Sequence, residues 1–322
     1  MPSARHSLAV VAAVVITLVG GTSAHAVDDR TAAQRSARPL TIAVVGDVPY
    51  GIEQEASVGS LVDAINHDTH VRLALHVGDI KSGSTTCTDE RFAAALAMFR
   101  DFKDPVVYTP GDNEWTDCHR VNNGAYQPLE RLDAVRRTFF AEPGELLGRR
   151  PARAEHQAQL VENVRILESR VAVATLHVVG SDNGLAPWSG LGLSTPTAEQ
   201  TAEVQARVAA TVAWVDETFD AAQEARLRGV VLAMQADTWF PQPTSGQQEI
   251  VDRIAARTAS FDGEVLLLQG DSHVYLADNP LGLDNFTRIV VHGETLPFEY
   301  LRLTVNPVRG PLFTWERVPV AG

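Results

Sequence analysis

Apolar residues along this chain alternate between short continuous runs and longer stretches with helical spacing. The first three runs, residues 40–46, 72–77 and 105–109, have the length of buried strands. A stretch with apolar residues three or four positions apart follows each of them. The three helical faces predicted in this way contain Val58, Leu61, Val62 and Ile65, then Phe92, Leu96 and Phe99, and finally Leu129, Leu132, Val135 and Phe139. Strands that alternate with helices predict βαβ units with parallel pairing.

The pattern changes after residue 140. Residues 141–163 predict a loop rich in arginine that could lie over a site, with a solvated surface as the alternative. The extended runs 164–167 and 171–179 follow one another without a helix between them, which predicts a β-hairpin and hence a mixed sheet. Thr195 and Pro196 then predict the first turn of a long helix, because threonine caps helices and proline suits their first positions.

The remainder of the chain predicts a second series of strands and helices. Its elements are a strand at residues 229–234, a helix at 248–259, a strand at 264–269, and three β-like runs at 286–291, 300–305 and 311–316. We therefore expect residues 39–322 to form a single α/β domain. The predicted architecture is two mixed β-sheets packed face to face, with helices outside both.

The N-terminus has the pattern of an export signal. A cationic start precedes an apolar stretch at residues 8–19, and residues 24–26 (Ala-His-Ala) form a small-x-small cleavage site. The apolar stretch is shorter than the ~20 residues that a spanning helix needs. We expect a signal peptide at residues 1–26, a disordered lead-in at 27–38, and a secreted protein with no stable membrane span after cleavage. An uncleaved membrane anchor at the N-terminus is the alternative.

The net charge of the chain argues against some classes of binding partner. The formal net charge is −13 at pH 7, and such acidity argues against nucleic acid or an anionic membrane as a binding partner.

The chain has two cysteines, Cys87 and Cys118. In an oxidising compartment a disulfide between them is the first expectation, and two unrelated buried thiols are the alternative.

Four of the apolar runs end in Gly-Asp, at Asp47, Asp79, Asp112 and Asp271. Because the carboxyl ends of parallel strands share one edge of a sheet, we expect these carboxylates to converge. Carboxylates that lie a few ångströms apart cannot all be ionised unless protons or a cation intervene. The pattern therefore predicts a metal site.

The order of these segments resembles that of the calcineurin-like metallophosphoesterases, a family that includes the purple acid phosphatases. The segments are GD at residues 46–47, GD at 78–79, GDNE at 111–114, a strand that ends near Gln235, and GDSH at 270–273. The family's blocks are GDxH, GDxx, GN(H/D)E, a histidine at a strand end, and GHxH, in this order. The likeness spans residues 40–276, and its most specific part is GDNEW at residues 111–115.

The resemblance implies a centre of two divalent metal ions bridged by Asp79. The implied ligands form two sets, Asp47, Asp79 and His273 for one ion, and Asp79, Asp112, Gln235 and Asp271 for the other. The resemblance also implies hydrolysis of a small-molecule phosphate ester by a metal-bound hydroxide, whose formation the ions favour by lowering the pKa of water.

Several positions depart from the family's pattern. Pro49 and Gln235 stand where the family has histidine, and Asn113 stands where it usually has histidine or aspartate. Asp112 replaces an asparagine, and Asp271 replaces the first histidine of GHxH. The resulting ligand set is rich in oxygen, which favours Mn²⁺, Mg²⁺ or Ca²⁺ over Zn²⁺ or Fe.

The catalytic roles that the resemblance implies fall on three neighbouring residues. Asn113 occupies the place of the family's catalytic residue but cannot supply a proton, and a shift of one residue would make it a ligand instead of Asp112. His119 is the nearest candidate for a replacement general acid, with a simple solvent-exposed histidine as the alternative. Glu114 is expected to orient the ligands rather than to react.

Two other functions stay open. A binding protein on the same fold, with a weakened metal site and no turnover, is one alternative, because three histidines of the family's pattern are absent. The segment Gly270-Asp271-Ser272 also resembles the nucleophile block of GDSL-type serine esterases. In that family the block belongs to the first strand, whereas here it follows a late strand and has His273 directly beside it.

Overall fold

The structure is a computed structural model that describes Met1 and residues 38–320. Apart from Met1 and Arg38, the residues of the predicted signal peptide (1–26) and of the predicted lead-in (27–38) lie outside the described part of the chain. Both therefore stay predictions. The helices are Gly51–His67 (α1), Asp89–Asp101 (α2), Pro128–Phe139 (α3), Ala198–Glu224 (α4) and Gln248–Ala259 (α5). The strands of the first half are Leu40–Val45 (β1), Val71–His76 (β2), Val106–Tyr108 (β3), Glu155–His156 (β4), Val164–Glu168 (β5) and Val171–Thr175 (β6). Those of the second half are Gly229–Ala233 (β7), Glu264–Gln269 (β8), Leu276–Asp278 (β9), Phe286–Val290 (β10), Glu299–Val305 (β11) and Phe313–Pro319 (β12).

The strands form two mixed sheets. The first has the order β12-β11-β1-β2-β3 and the second the order β4-β5-β6-β7-β8-β10-β9. Strands β1, β2 and β3 are parallel, as are β6, β7, β8 and β10. Strands β5 and β6 form an antiparallel pair, which confirms the predicted hairpin. Both sheets therefore collect several strand ends at one edge.

Three hydrophobic cores separate the layers. Ile42 of β1 and Leu266 of β8 belong to the core between the two sheets. Phe99 of α2 lies in the core between the first sheet and its helices. Leu232 of β7 and Trp214 of α4 lie in the core on the outer face of the second sheet. The order of layers is helix, sheet, sheet, helix, which confirms the predicted architecture.

Helix α4 begins later than the sequence pattern predicts. Its first residue is Ala198 and its N-cap is Thr197, not Thr195. The Gln200 N–H donates to the Thr197 hydroxyl (3.0 Å), and the Thr197 N–H donates to the Gln200 side chain (3.3 Å). This reciprocal capping box needs Gln or Glu three residues after the cap. Thr195 lacks such a partner, because Ala198 stands there.

The central part of the arginine-rich loop at 141–163, residues 147–149, lies at the start of β3, opposite the Gly-Asp segments. The Val106 N–H, at the start of β3, donates to the Leu147 carbonyl (2.8 Å), and the Arg149 N–H donates to the Phe102 carbonyl (2.8 Å). Asp112, by contrast, follows the far end of β3. Residues 147–149 of the loop therefore lie away from the Gly-Asp segments, and whether the rest of the loop lies over the site stays a prediction.

A disulfide joins Cys87 to Cys118, as predicted. It connects the segment after β2 to the segment after β3, and these two segments carry Asp79 and Asp112. Within the part of the chain that the structure describes, no helix has the length and apolar character needed to cross a membrane.

Candidate metal centre

The Gly-Asp segments of both sheets meet at one place. Asp47 and Asp79 follow β1 and β2 of the first sheet, and Asp271 follows β8 of the second. The Asp47 N–H donates to the Gly78 carbonyl (3.0 Å), and the Asp271 N–H donates to Asp47 Oδ1 (3.0 Å). The second of these hydrogen bonds links the carboxyl edges of the two sheets.

Three of the predicted ligands lie close enough together to hold one metal ion. One ligand atom each from Asp47, Asp79 and His273 lie within 4.8 Å of one another. His273 Nε2 is 3.5 Å from Asp47 Oδ1. Both carboxylates are buried, whereas the imidazole is partly exposed. We call these three residues the triad; two carboxylates and one imidazole can bind a divalent cation.

The environment of the triad fits a cation. Asp47 Oδ2 is buried and has no hydrogen-bond partner among the described residues, a costly state for a carboxylate oxygen. Glycines keep the space next to these oxygens open. A Cβ at position 270 would lie 2.6 Å from Asp47 Oδ2, and one at position 111 would lie 2.0 Å from Asp79 Oδ1. A divalent ion at the triad would bring positive charge to a carboxylate that lacks one of its partners.

The backbone of the site is strained at its key positions. Asp47, Asp79, Asp271 and His273 have positive φ angles of 54°, 61°, 71° and 60°. Residues with a Cβ rarely adopt this left-handed region, and each such residue costs about 1–3 kcal/mol. The tight turns at these strand ends aim the side chains back over the edges of the sheets. Strain of this kind is concentrated where a protein uses it to position functional groups.

The other predicted ligands are adjacent but bonded differently. Gln235 Oε1 accepts a hydrogen bond from the Gly180 N–H at 2.7 Å. Its amide nitrogen donates to Asp79 Oδ2 (3.3 Å) and Asp112 Oδ1 (3.2 Å). The side chain that was predicted to bind a second ion through oxygen therefore presents N–H groups to the carboxylates in this structure.

Glu114 and Asn113 hold the second and third Gly-Asp turns, those of Asp79 and Asp112, in place. The carboxylate of Glu114 is fully buried and accepts hydrogen bonds from the Ile80 N–H (2.8 Å) and the Gly111 N–H (3.1 Å). The Asn113 amide nitrogen donates to Asp79 Oδ2 at 2.8 Å. Both contacts are of the kind that orients a ligand. Asn113 therefore lies next to Asp79, a member of the triad.

His119 is buried rather than solvent-exposed, with only 5% of its surface accessible. Its Nδ1 accepts a hydrogen bond from the Gly190 N–H (3.1 Å), which fixes the turn at residues 189–191. Burial, followed by the nearby charge of Arg120, lowers the pKa of the imidazole. The role of His119 as a general acid stays a prediction.

Tyr50 and Glu294 contact the triad although the sequence pattern gave neither a defined role. The Tyr50 hydroxyl donates to Asp79 Oδ2 at 2.7 Å. Glu294 Oε2 is 2.8 Å from His273 Nδ1, so the carboxylate accepts the imidazole N–H and leaves Nε2 facing Asp47. Glu294 follows β10, which is parallel to β8, and a polar residue just past a parallel strand was the signal that could have found it.

Ser181 is a further site residue that sequence reasoning missed. It belongs to a turn at residues 180–183 in which Ser181, Asp182 and Asn183 have positive φ angles of 51°, 56° and 53°. The Ser181 hydroxyl lies 3.0 Å from Asp112 Oδ2. Asp182 accepts from the Gly246 N–H, and the Asn183 amide donates to the Gly246 carbonyl, so neither faces Asp112. The strained turn instead places the serine side chain at the carboxylates.

The protonation of the acidic groups is dominated by burial. Burial raises the pKa of Asp47, Asp79 and Asp271, and neighbouring carboxylates raise it further. Burial lowers the pKa of His273, but the hydrogen bond to Asp47 and the charge of that carboxylate outweigh it, so the pKa is raised overall. A bound divalent cation would favour the ionised carboxylates and the neutral imidazole.

Two cationic side chains accompany the carboxylates. Lys81 is fully buried, and burial lowers its pKa to about 8 although the charges of Glu114 and other carboxylates act in the opposite direction. Arg120 lies at the Asn113 side of the site. A Cβ at position 83 would lie 3.1 Å from Arg120 Nη1 and 2.9 Å from Asn113 Oδ1, so these two groups are neighbours.

The serine-esterase alternative does not match the contacts of Ser272. The Ser272 hydroxyl donates to Asp237 Oδ2 (2.8 Å). The imidazole of His273 is engaged by Asp47 and Glu294 instead. A nucleophilic serine needs a base within hydrogen-bond reach, and here its partner is a carboxylate that also binds Arg288 at 2.6 Å.

No family model matches this sequence, and no curated protein is similar to it in sequence. Solved structures that are similar include a dimetal phosphatase from Danio rerio, at 12% identity and a TM-score of 0.47 over 88% of this chain and 99% of that one. GAP50, the anchor in the inner membrane complex of Plasmodium, is 9% identical with a TM-score of 0.45 over 88% and 90% of the two chains. A purple acid phosphatase from yellow lupin (Lupinus luteus) is 8% identical with a TM-score of 0.47, over 88% of this chain but 54% of that one. At these identities and TM-scores the matches support no conclusion about what this chain does. A proposal for its function rests on the residues of the site.

Proposed function

We propose that this protein is a metal-dependent hydrolase of phosphate esters. The observation that carries the proposal is the triad, in which the carboxylate of Asp47 also has a buried oxygen without a hydrogen-bond partner among the described residues. The order of the Gly-Asp segments, which resembles the calcineurin-like metallophosphoesterases, supports the same activity. The substrate class proposed is a small-molecule phosphate ester.

Asp47, Asp79 and His273 would hold the ion. When bound, a divalent ion supplies a Lewis acid for the phosphoryl oxygens and lowers the pKa of water. Mn²⁺, Mg²⁺ or Ca²⁺ are proposed over Zn²⁺ or Fe, because two of the three ligand atoms are carboxylate oxygens.

The chain's own residues hold this ligand set in place. The Tyr50 hydroxyl and the Asn113 amide both donate to Asp79 Oδ2, at 2.7 Å and 2.8 Å, and fix the orientation of that carboxylate. Glu294 fixes the imidazole of His273 through its Nδ1–H. Such supporting hydrogen bonds pre-set ligand geometry and raise the affinity for an ion.

Arg120 and Lys81 provide positive charge beside an otherwise acidic site. A phosphate ester approaching buried carboxylates is repelled unless cations compensate. The guanidinium of Arg120 is partly exposed, at 43% of its side chain, and can reach a bound phosphate group with charge-assisted hydrogen bonds. We assign it the role of substrate contact and assign Lys81 that of a buried counter-charge.

The location proposed for this activity is outside the cell. The export-type N-terminus and the disulfide between Cys87 and Cys118 support it, because such bonds persist in oxidising compartments.

Hydrolysis of p-nitrophenyl phosphate and bis(p-nitrophenyl) phosphate by the purified protein tests the proposal. We expect activity with added Mn²⁺, loss of activity with a chelator, and a loss of at least about 100-fold in Asp79→Asn, since the ion is then poorly held. Asp101→Asn, an exposed carboxylate far from the site, is the matched control and should keep full activity.

Two results would contradict the proposal. Metal binding without turnover of either substrate would identify a binding protein. Chelator-resistant activity that disappears in Ser272→Ala would identify a serine esterase.

A further inference from the structure

We propose that this chain binds a single divalent cation at the triad, and that the carboxamide of Gln235 takes the place of a second ion by linking Asp79 and Asp112 through its N–H groups. The first half of this statement rests on the metal site of the proposed function. The second half is independent of whether the protein hydrolyses phosphate esters. It departs from the two-ion centre that the sequence resemblance implies.

The orientation of the Gln235 amide is fixed by a backbone donor. The Gly180 N–H lies 2.7 Å from one end of the amide. A backbone N–H can only donate, so the atom that it meets is the carbonyl oxygen. The nitrogen must then face Asp79 Oδ2 and Asp112 Oδ1, at 3.3 Å and 3.2 Å. An amide nitrogen in this position offers two hydrogens and no lone pair to a metal ion.

Rotation of the amide to present its oxygen would create new conflicts. The NH₂ group would then face the Gly180 N–H, and both donors would lose their acceptor inside the protein. Gln235 is fully buried, so water cannot replace these partners. Asp79 and Asp112 would also lose the donor that now lies between them. In the present orientation the Gln235 amide, the Gly180 N–H and the carboxylates of Asp79 and Asp112 all have hydrogen-bond partners.

Protein groups also contact further oxygens of the second set. The Asp237 N–H donates to Asp271 Oδ2 at 3.3 Å. The Ser181 hydroxyl lies 3.0 Å from Asp112 Oδ2 and 2.7 Å from Asp117 Oδ1, so these two carboxylates share its one proton. Asp47 Oδ2, by contrast, has no partner among the described residues. The buried acceptor without a partner thus belongs to the triad, whereas Asp79 Oδ2, Asp112 Oδ1 and Asp271 Oδ2 each accept a hydrogen bond.

Lys81 supplies positive charge that a second ion would otherwise bring. Its side chain is fully buried two residues after Asp79, and it interacts electrostatically with Asp79, Glu114, Asp117 and Asp112. The Lys81 Nζ donates to the Ser82 carbonyl at 3.0 Å, and its positive charge adds to the potential that a second divalent ion would meet. Mutual repulsion between the two cations opposes its binding.

The number of bound ions tests the proposal directly. Native mass spectrometry and isothermal titration calorimetry with Mn²⁺ should give one ion per chain for the wild-type protein. Gln235→His replaces the donor amide by an imidazole with a free lone pair, and we expect it to bind two ions. Gln157→His changes a buried glutamine whose amide donates to Ala210 instead, and it should still bind one ion.

The outcomes separate this inference from the proposed function. Two ions bound by the wild-type protein, with dissociation constants within tenfold of each other, would overturn the inference, as would the absence of any bound ion. A folded Gln235→His protein with one ion would also contradict it. If that variant does not fold, Gln235→Glu serves the same purpose, since it adds a carboxylate at the same place. One bound ion without hydrolysis of any phosphate ester would leave the inference intact and reject the proposed activity.

Discussion

The backbone N–H of Asp271 donates a hydrogen bond to the carboxylate of Asp47, 3.0 Å away, across the boundary between the two sheets. These residues are 224 positions apart in the chain. The contact brings the segment that carries His273 against the end of β1. The triad therefore draws its ligands from both sheets: Asp47 and Asp79 follow strands of the first sheet, and His273 follows β8 of the second.

Replacement of His273 by alanine should weaken Mn²⁺ binding at least tenfold, because the imidazole is the nitrogen ligand of the triad. Its side chain is 28% exposed, so the melting temperature without metal should change little. His70→Ala, a strongly exposed histidine, is the control and should bind Mn²⁺ normally. Calorimetry measures both. Unchanged affinity in His273→Ala would exclude His273 as a ligand.

Glu294 positions His273, and its replacement should act on metal affinity through that residue. Glu294→Gln removes the carboxylate that accepts the Nδ1–H at 2.8 Å. Loss of such a supporting partner costs roughly 10- to 100-fold in metal affinity. Glu294→Asp, which keeps a carboxylate, should retain more of the affinity than Glu294→Gln. Equal affinity in the two variants would argue against a positioning role.

The Gly-Asp segments show how much of the site the sequence predicts. A strand pattern with Gly-Asp at its end places Asp47, Asp79 and Asp271 at sheet edges. The carboxyl ends of parallel strands share one edge whatever the contacts elsewhere in the protein. The layers follow from the same patterns, since apolar faces must be buried on both sides of each sheet. The disulfide follows from the presence of only two cysteines.

Other features depend on contacts that no local pattern encodes. The direction of the Gln235 amide is set by Gly180, which is 55 residues away in the chain. Glu294 reaches His273 only because the turns after β8 and β10 approach each other. The start of α4, by contrast, is encoded locally, because the reciprocal hydrogen bonds of Thr197 and Gln200, three positions apart, set the N-cap at Thr197 rather than at the predicted Thr195.

The buried pair of Glu162 and His177 should make stability depend on pH. Burial alone would raise the pKa of Glu162, but the His177 hydrogen bond at 2.7 Å and the charge of Arg136 lower it to about 2. A carboxylate with a lowered pKa adds stability that is present above its ordinary pKa of 4.5 and lost as the pH falls towards 2.

The variant Glu162→Gln should therefore lower the free energy of unfolding by about 3 kcal/mol at pH 7, since a buried pair loses one partner. The difference from the wild-type protein should shrink below pH 4.5. Glu155→Gln is the control: the Glu155 carboxylate, which pairs with Arg165, is 56% exposed. Its replacement should lower the free energy of unfolding by less than ~1 kcal/mol. Urea unfolding at several pH values measures these changes. A pH-independent difference for Glu162→Gln would contradict the assignment.

The disulfide should stabilise the protein mainly through its effect on the unfolded chain. Cys87 and Cys118 are separated by 31 positions. Closing a loop of this length contributes about 3–4 kcal/mol in the chain-entropy model. The double variant Cys87→Ser/Cys118→Ser should lose this amount in urea unfolding. A double variant as stable as the wild-type protein would show that the bond adds nothing to stability.

Anomalous X-ray diffraction from crystals soaked in Mn²⁺, recorded at the manganese absorption edge, tests the central claim most directly. We predict one strong anomalous peak roughly 2.0–2.6 Å from the side chains of Asp47, Asp79 and His273, the range of metal–ligand distances for divalent ions. No second peak is expected between Asp112 and Gln235. Absence of a peak at the triad would contradict the account of this site as a metal centre.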